Sequence, residues 1–177
     1  CATEGATVSN CVVKGNTAAY SAGGVYGGAL FGCTIEDNEG GEEGGGSWET
    51  RAYNCLYRGN AADYGGGATF GALRNCTLVG NAARLAGGGA VAAAGFNCIL
   101  YFNAAPEGSN DYVNALAHCC VSPLADGAGN FDGDPGLLTR ANPRLRPGSA
   151  CVDAGTNEAW MAGATDLAGR GRIGGAR

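Results

Sequence analysis

Apolar and polar residues alternate along this chain only over very short stretches, and glycine or asparagine ends each one. In Asn75-Cys76-Thr77-Leu78-Val79-Gly80-Asn81, Cys76 and Leu78 face one way and Thr77 the other, as side chains do across a strand. The run is too short for a helix before Asn81 and the following glycines break it. The same phrase recurs. Cys11, Cys33, Cys55, Cys76, Cys98 and Cys120 stand 22, 22, 21, 22 and 22 residues apart. Asn16, Asn38, Asn60, Asn81 and Asn103 each follow a cysteine by five positions, and Val13, Ile35, Tyr57, Leu78 and Leu100 follow by two. Asn10, Asn54, Asn75 and Asn97 immediately precede a cysteine, with Gly32 and Cys119 as the exceptions. Fifteen residues after the cysteine come Tyr26, Trp48, Phe70, Val91 and Val113, each behind glycines such as Gly23-Gly24 or Gly65 to Gly67; Ser109-Asn110 takes the glycines' place in the last repeat.

A period of about 22 residues allows two or three short strands joined by bends. No such coil buries its apolar side alone, so coils must stack, at ~4.8 Å per rung. The expectation is an all-β fold: a parallel β-helix, right-handed by the chiral preference of parallel crossovers. A leucine-rich repeat would need an LxxLxL frame, which is missing. Residues 1–120 are expected to form the coils. From Val121 the frame is lost to turn residues such as Gly133-Asp134-Pro135 and Pro147-Gly148. Residues 121–177 are therefore expected to pack as a cap on the last coil, covering an edge that would otherwise aggregate.

The columns imply ladders. A buried asparagine at a bend can bond the backbone and the asparagine of the next coil, and it tolerates the left-handed conformation. Asn16, Asn38, Asn60, Asn81 and Asn103 are expected to form such a ladder. Cys11, Cys33, Cys55, Cys76 and Cys98 should form an inward row of reduced, packed thiols. Tyr26, Trp48 and Phe70 should stack along the axis from an inward position. Lys14, Glu36 and Arg58, three residues after their cysteines, alternate in sign on the outer face and should pair.

Composition narrows the functional classes. The chain has 34 glycines without a collagen period, 45% apolar residues and only 15% charged ones. The net charge of −5 gives no basic face for nucleic acid. No segment suggests membrane insertion. Nine cysteines suit an oxidising compartment better than the cytosol, and their odd number leaves at least one thiol free or paired outside the chain. The chain begins at Cys1 within a repeat, as a segment or processed form of a longer protein would. Cys151 is expected to bond Cys120, the member of the Cys119-Cys120 pair that ends the inward column. The loop of about 31 residues would contribute about 3 kcal/mol.

The run from Asn75 to Asn81, followed by Gly87-Gly88-Gly89, resembles the repeats of bacterial right-handed β-helix surface proteins of the pectin-lyase-like superfamily, including polymorphic outer-membrane and autotransporter passengers. Gly129-Asn130, Asp134-Pro135, the stretch from Leu145 to Gly155, and Asp166 to Arg170 resemble the endings of secreted choice-of-anchor β-helix proteins. The resemblance implies export and an extracellular or cell-surface location, and little chemistry. A structural or adhesive module is the leading expectation, meeting a polysaccharide, a host-surface glycan or other copies of itself. The alternative is a polysaccharide-acting enzyme, a pectate-lyase-like lyase or a glycoside hydrolase.

Candidate chemistry is sparse. His118, the single histidine, stands where a bend is expected. The acidic residues Glu36, Asp37, Glu39, Glu42 and Glu43 read as a solvated loop. Asp132 and Asp134 are candidate calcium ligands, although a turn explains them better. The glycine triplets lack the Lys-Ser/Thr of a phosphate loop. No catalytic residue and no further cofactor is expected.

Overall fold

The computed structural model describes residues 5–171. It is a parallel β-solenoid of about five turns, and every pairing between its named strands is parallel. Its strands form three sheets, counted in the order the chain first enters them. In the third coil Ala68–Arg74 belongs to the first sheet, Leu56–Arg58 to the second and Ala61–Tyr64 to the third. Register runs unbroken along the second sheet as Val12, Thr34, Leu56, Thr77, Ile99 and Cys120.

Left-handed residues turn the corners. Asn10, Asn54, Asn75, Asn97 and His118, all with φ of 53° or 54°, occupy the bend before the second sheet. At the next bend the left-handed residue is Gly15, Asp37, Gly59, Gly80 or Phe102, one place before the ladder asparagine. The ladder asparagines themselves do not take that conformation among the described residues, so the sequence reading assigned it one position late.

Within the ladder each internal carboxamide is fully used. Asn60 donates to the Ile35 carbonyl at 2.9 Å and to Asn81 Oδ1 at 2.9 Å. Its own Oδ1 accepts from the Asn38 backbone N at 3.1 Å and side-chain Nδ2 at 3.0 Å. Two donors and two lone pairs are what a carboxamide has. The glycines follow from this packing. A Cβ on Gly24, Gly46, Gly67 or Gly89 would strike the next coil's carbonyl oxygen and approach the ladder asparagine at 3.0–3.2 Å. In the last coil that glycine position is Asn110, since Ala90 pairs with Asp111. Asn110 Oδ1 accepts from the Asn103 backbone at 3.0 Å and side chain at 2.9 Å, as a further ladder rung would.

The core is the inward row Ile35, Tyr57, Leu78, Leu100 and Val121 against Leu30, Ala52, Leu73 and Leu116, with the cysteines between them. Buried Thr50 donates to Ser47, and Ser47 to the Tyr57 hydroxyl at 3.1 Å, which gives that phenol a partner inside. Cys33, Cys55, Cys76 and Cys98 are buried as expected, whereas Cys11 is exposed on the first described coil. The row continues into Cys119, not Cys120: the Cys98 backbone N lies 3.3 Å from Cys119 Sγ, and Cys120 aligns with Ile99. The last coil is one residue shorter than the even spacing assumed, which turns Cys120 outward.

The tail covers two surfaces. Phe131 bridges to Cys120, and the Asn130 carboxamide accepts from the Cys119 N–H at 2.9 Å and donates to the Leu116 carbonyl at 3.1 Å, closing the last coil. Beyond it the chain turns back as a strap along the corner between the first and second sheets. Leu137 and Leu145 pack on Leu56 and Val79, two outward residues, as a second small core.

Candidate functional site

The strap engages two members of the second asparagine column. Asn97 donates to the Thr156 carbonyl at 2.7 Å and accepts from the Thr156 N–H at 2.9 Å. Asn54 donates to the Thr165 carbonyl at 3.0 Å. Arg74 pairs with Glu158, Arg58 donates to the Ala141 carbonyl, and Trp160 meets the edge of Tyr53 at 5.3 Å. A groove of about 1150 Å³ runs between strap and coils. Its polar walls largely serve to seat the strap itself.

Cys120 and Cys151 meet in this region. Their thiols are in hydrogen-bond contact, which raises Cys120 above the ordinary thiol range and lowers Cys151 below it. The two cysteines expected to bond are thus brought together, and in this structure both are free thiols.

The expected charge column is present. Glu36 lies between Lys14, at 2.8 Å, and Arg58, and these cations hold its carboxyl below the usual carboxylate range. The other acidic residues are spread over separate partners. Glu39 and Asp63 face Arg84, and Glu43 accepts from Trp48 Nε1 at 2.8 Å. Asp134 accepts from the Gly136 N–H at 2.9 Å, a turn contact. Neither Asp132 nor Asp134 belongs to a group of three or more His, Cys, Asp or Glu suited to a metal ion among the described residues. His118 fills the bend, its ring edge-on to Phe96 at 5.1 Å.

The corner between the third and first sheets is free of the strap's contacts described above. Tyr26 and Trp48 stack there at 4.7 Å, and Phe70 meets Trp48 edge-on at 5.9 Å. The expected stacking is present, but the expected inward position is not: Tyr26 and Phe70 are 45% and 38% exposed. A fixed offset of fifteen also misplaces Phe70, because the Trp48 partner in register is Thr69. Beside this row a second column runs through Glu43, Tyr64, Ala86 and Glu107. Between Tyr64 and Tyr112 lies a shallow surface notch of about 270 Å³ edged by Leu85, Pro106 and Glu107, with Ala86 buried at its base. The sequence reading passed over these residues. A small residue between two large ones in one column was the signal that could have found them.

No family model, no curated protein and no solved structure matches this chain.

Proposed function

We propose that the chain is a non-catalytic structural or adhesive module of a bacterial cell-surface or secreted β-helix protein. The observation that carries this reading is the contrast between a self-satisfied frame and one corner crowded with exposed aromatic residues. Tyr20, Tyr26, Tyr64 and Phe70 are each 38–72% exposed. Apolar groups gathered on a rigid surface mark an interaction site. A ladder-built rod presents them at fixed spacing and without ordering cost at the moment of contact. The partner in this reading is a polysaccharide, a host-surface glycan or another copy of the chain.

Binding of the purified chain to glycan-coated and cell-coated surfaces tests the proposal, with sedimentation measuring self-association. Retention on a surface, or self-association, that weakens when Tyr26 and Phe70 are both changed to Ser supports it. Release of unsaturated or newly reducing sugar ends from a polysaccharide would replace it with an enzyme. Failure to engage any surface or itself would remove the adhesive part.

A further inference from the structure

We propose that Cys120 and Cys151 form a redox latch: exchange with a small disulfide, entering at Cys151, links the two sulfurs and ties the strap to the last coil. The inference concerns how the tail is held and is independent of what the coils bind.

The two thiols come from opposite sides of one joint. Cys120 ends the second sheet in register with Ile99, and Phe131 bridges to it. Its Sγ also lies 3.5 Å from the Gly133 carbonyl oxygen. Cys151 follows the strap's turn at Pro147-Gly148-Ser149. That turn is seated on the segment leaving the last coil. The Arg146 N–H donates to the Gly136 carbonyl at 2.7 Å, and the Ser149 hydroxyl to the Pro135 carbonyl at 2.7 Å. The Cys151 N–H donates to Ser149 Oγ at 3.0 Å. Backbone on both sides of the pair is therefore held, and both residues line the groove through which a reagent arrives.

The pair is asymmetric. Cys120 is buried and Cys151 is partly exposed, so an incoming disulfide meets Cys151 first. The Cys120 thiol leans on the Cys151 sulfur and holds it below the ordinary thiol range; the Ser149 hydroxyl adds to this, and burial opposes it. The same contact, then burial and the carboxylates of Asp132 and Asp134, keep the proton on Cys120. The thiolate is the species that attacks in exchange. In the first step the Cys151 thiolate attacks one sulfur of the small disulfide, whose S–S bond breaks and releases one small thiolate. Cys151 then no longer accepts from Cys120, and the largest influence retaining the Cys120 proton is gone. Cys120 gives that proton to the released thiolate and attacks Cys151 Sγ, expelling the second small thiolate, which takes a proton from water. Two protein thiols are oxidised and one disulfide is reduced to two thiols. The core row offers no equal site, since Cys33, Cys55, Cys76, Cys98 and Cys119 are buried, and Cys11 is exposed on the first described coil, away from the strap joint.

The test treats the reduced chain with oxidised glutathione, quenches with iodoacetamide and maps the peptides without reduction. The expected product is a link between Cys120 and Cys151. Cys120→Ser should stop with glutathione on Cys151, and Cys151→Ser should leave Cys120 modified at least about tenfold more slowly than Cys151 is in the parent. Should Cys120→Ser fail to fold, Cys120→Ala serves, with an unchanged melting temperature as its control. The latch is read by trypsin cutting after the exposed Arg144. Closing the bond should slow that cut by at least about tenfold, and dithiothreitol should restore it. Neither oxidant nor reductant should change the rate in Cys151→Ser. A link to Cys119, glutathione settling first on Cys120, or no link at any glutathione ratio would overturn the inference. So would a link that forms and leaves the strap as open to trypsin as before.

Discussion

In the coils, Asn60 finds its four partners within 21 to 25 residues of chain. In the strap, Thr156 and Thr165 meet theirs across 59 and 111 residues. Both regions satisfy backbone that would otherwise be stranded. The coils do so by repetition, so one lost side chain disturbs the rungs on either side. The strap does so by separate contacts, and losing one leaves the rest in place. Cooperativity therefore belongs to the coils and tolerance to the strap.

The largest expected effect is at Asn60. Its replacement by alanine strands the Asn38 backbone N–H and one N–H of its carboxamide, and takes one bond each from the Ile35 carbonyl and from Asn81 Oδ1, which keeps the Asn60 backbone N–H. Each buried group costs about 1–3 kcal/mol, and partial relaxation should leave a loss of about 4 kcal/mol in denaturant unfolding. Asn97→Ala, which costs the strap its tie at Thr156, should lose only about 1 kcal/mol. Equal losses would break the comparison.

Gly67→Ala should come next. Its Cβ would meet the Gly89 carbonyl oxygen and stand 3.2 Å from both Asn81 Nδ2 and Leu78 Cδ2. Overpacking of this kind costs about 1–3 kcal/mol, read as a lower midpoint with an unchanged slope. Leu137→Ala should lose about 2 kcal/mol from the small outer core. Here the sharper readout is protease cutting within the strap, before any loss of the coils' far-ultraviolet β signal. If coils and strap melt as one unit in that variant, the two regions are not separable.

The smallest effect is on pH. Lys14 and Arg58 depress the Glu36 carboxyl. A depressed acid contributes stability above its unfolded value, and that contribution is lost as pH falls through the folded value. Glu36→Gln should therefore lower stability slightly at neutral pH, leave the acid end nearly unchanged, and so flatten the acid limb of a stability profile. A steeper acid limb in the variant would contradict the pairing.

The coils were legible because they repeat. Cys33, Cys55, Cys76 and Cys98 declare an inward row, and Asn38, Asn60 and Asn81 a ladder, through nothing more than spacing. Where the spacing changes by one, reading by a fixed offset fails. It set Phe70 in the place of Thr69 and Cys120 in the place of Cys119. Of the strap only the approach of Cys151 to Cys120 was legible, because its other partners are far apart and share no period. The notch was hidden for another reason. Alanine at position 86 is unremarked in a chain so rich in small residues, and only the register shows that its column neighbours are large.

The strap also sets a length. Thr165 is tied to Asn54 and Thr156 to Asn97, so a single stretch of tail is gauged against the coils that separate those two asparagines. A duplicated coil inserted between them would lengthen the rod by ~4.8 Å and pull both ties out of reach at once. The same duplication ahead of Asn54 would disturb neither. The strap behaves as a ruler that fixes the copy number of the coils beneath it. It leaves the opposite end free to gain or lose whole turns as the chain evolves.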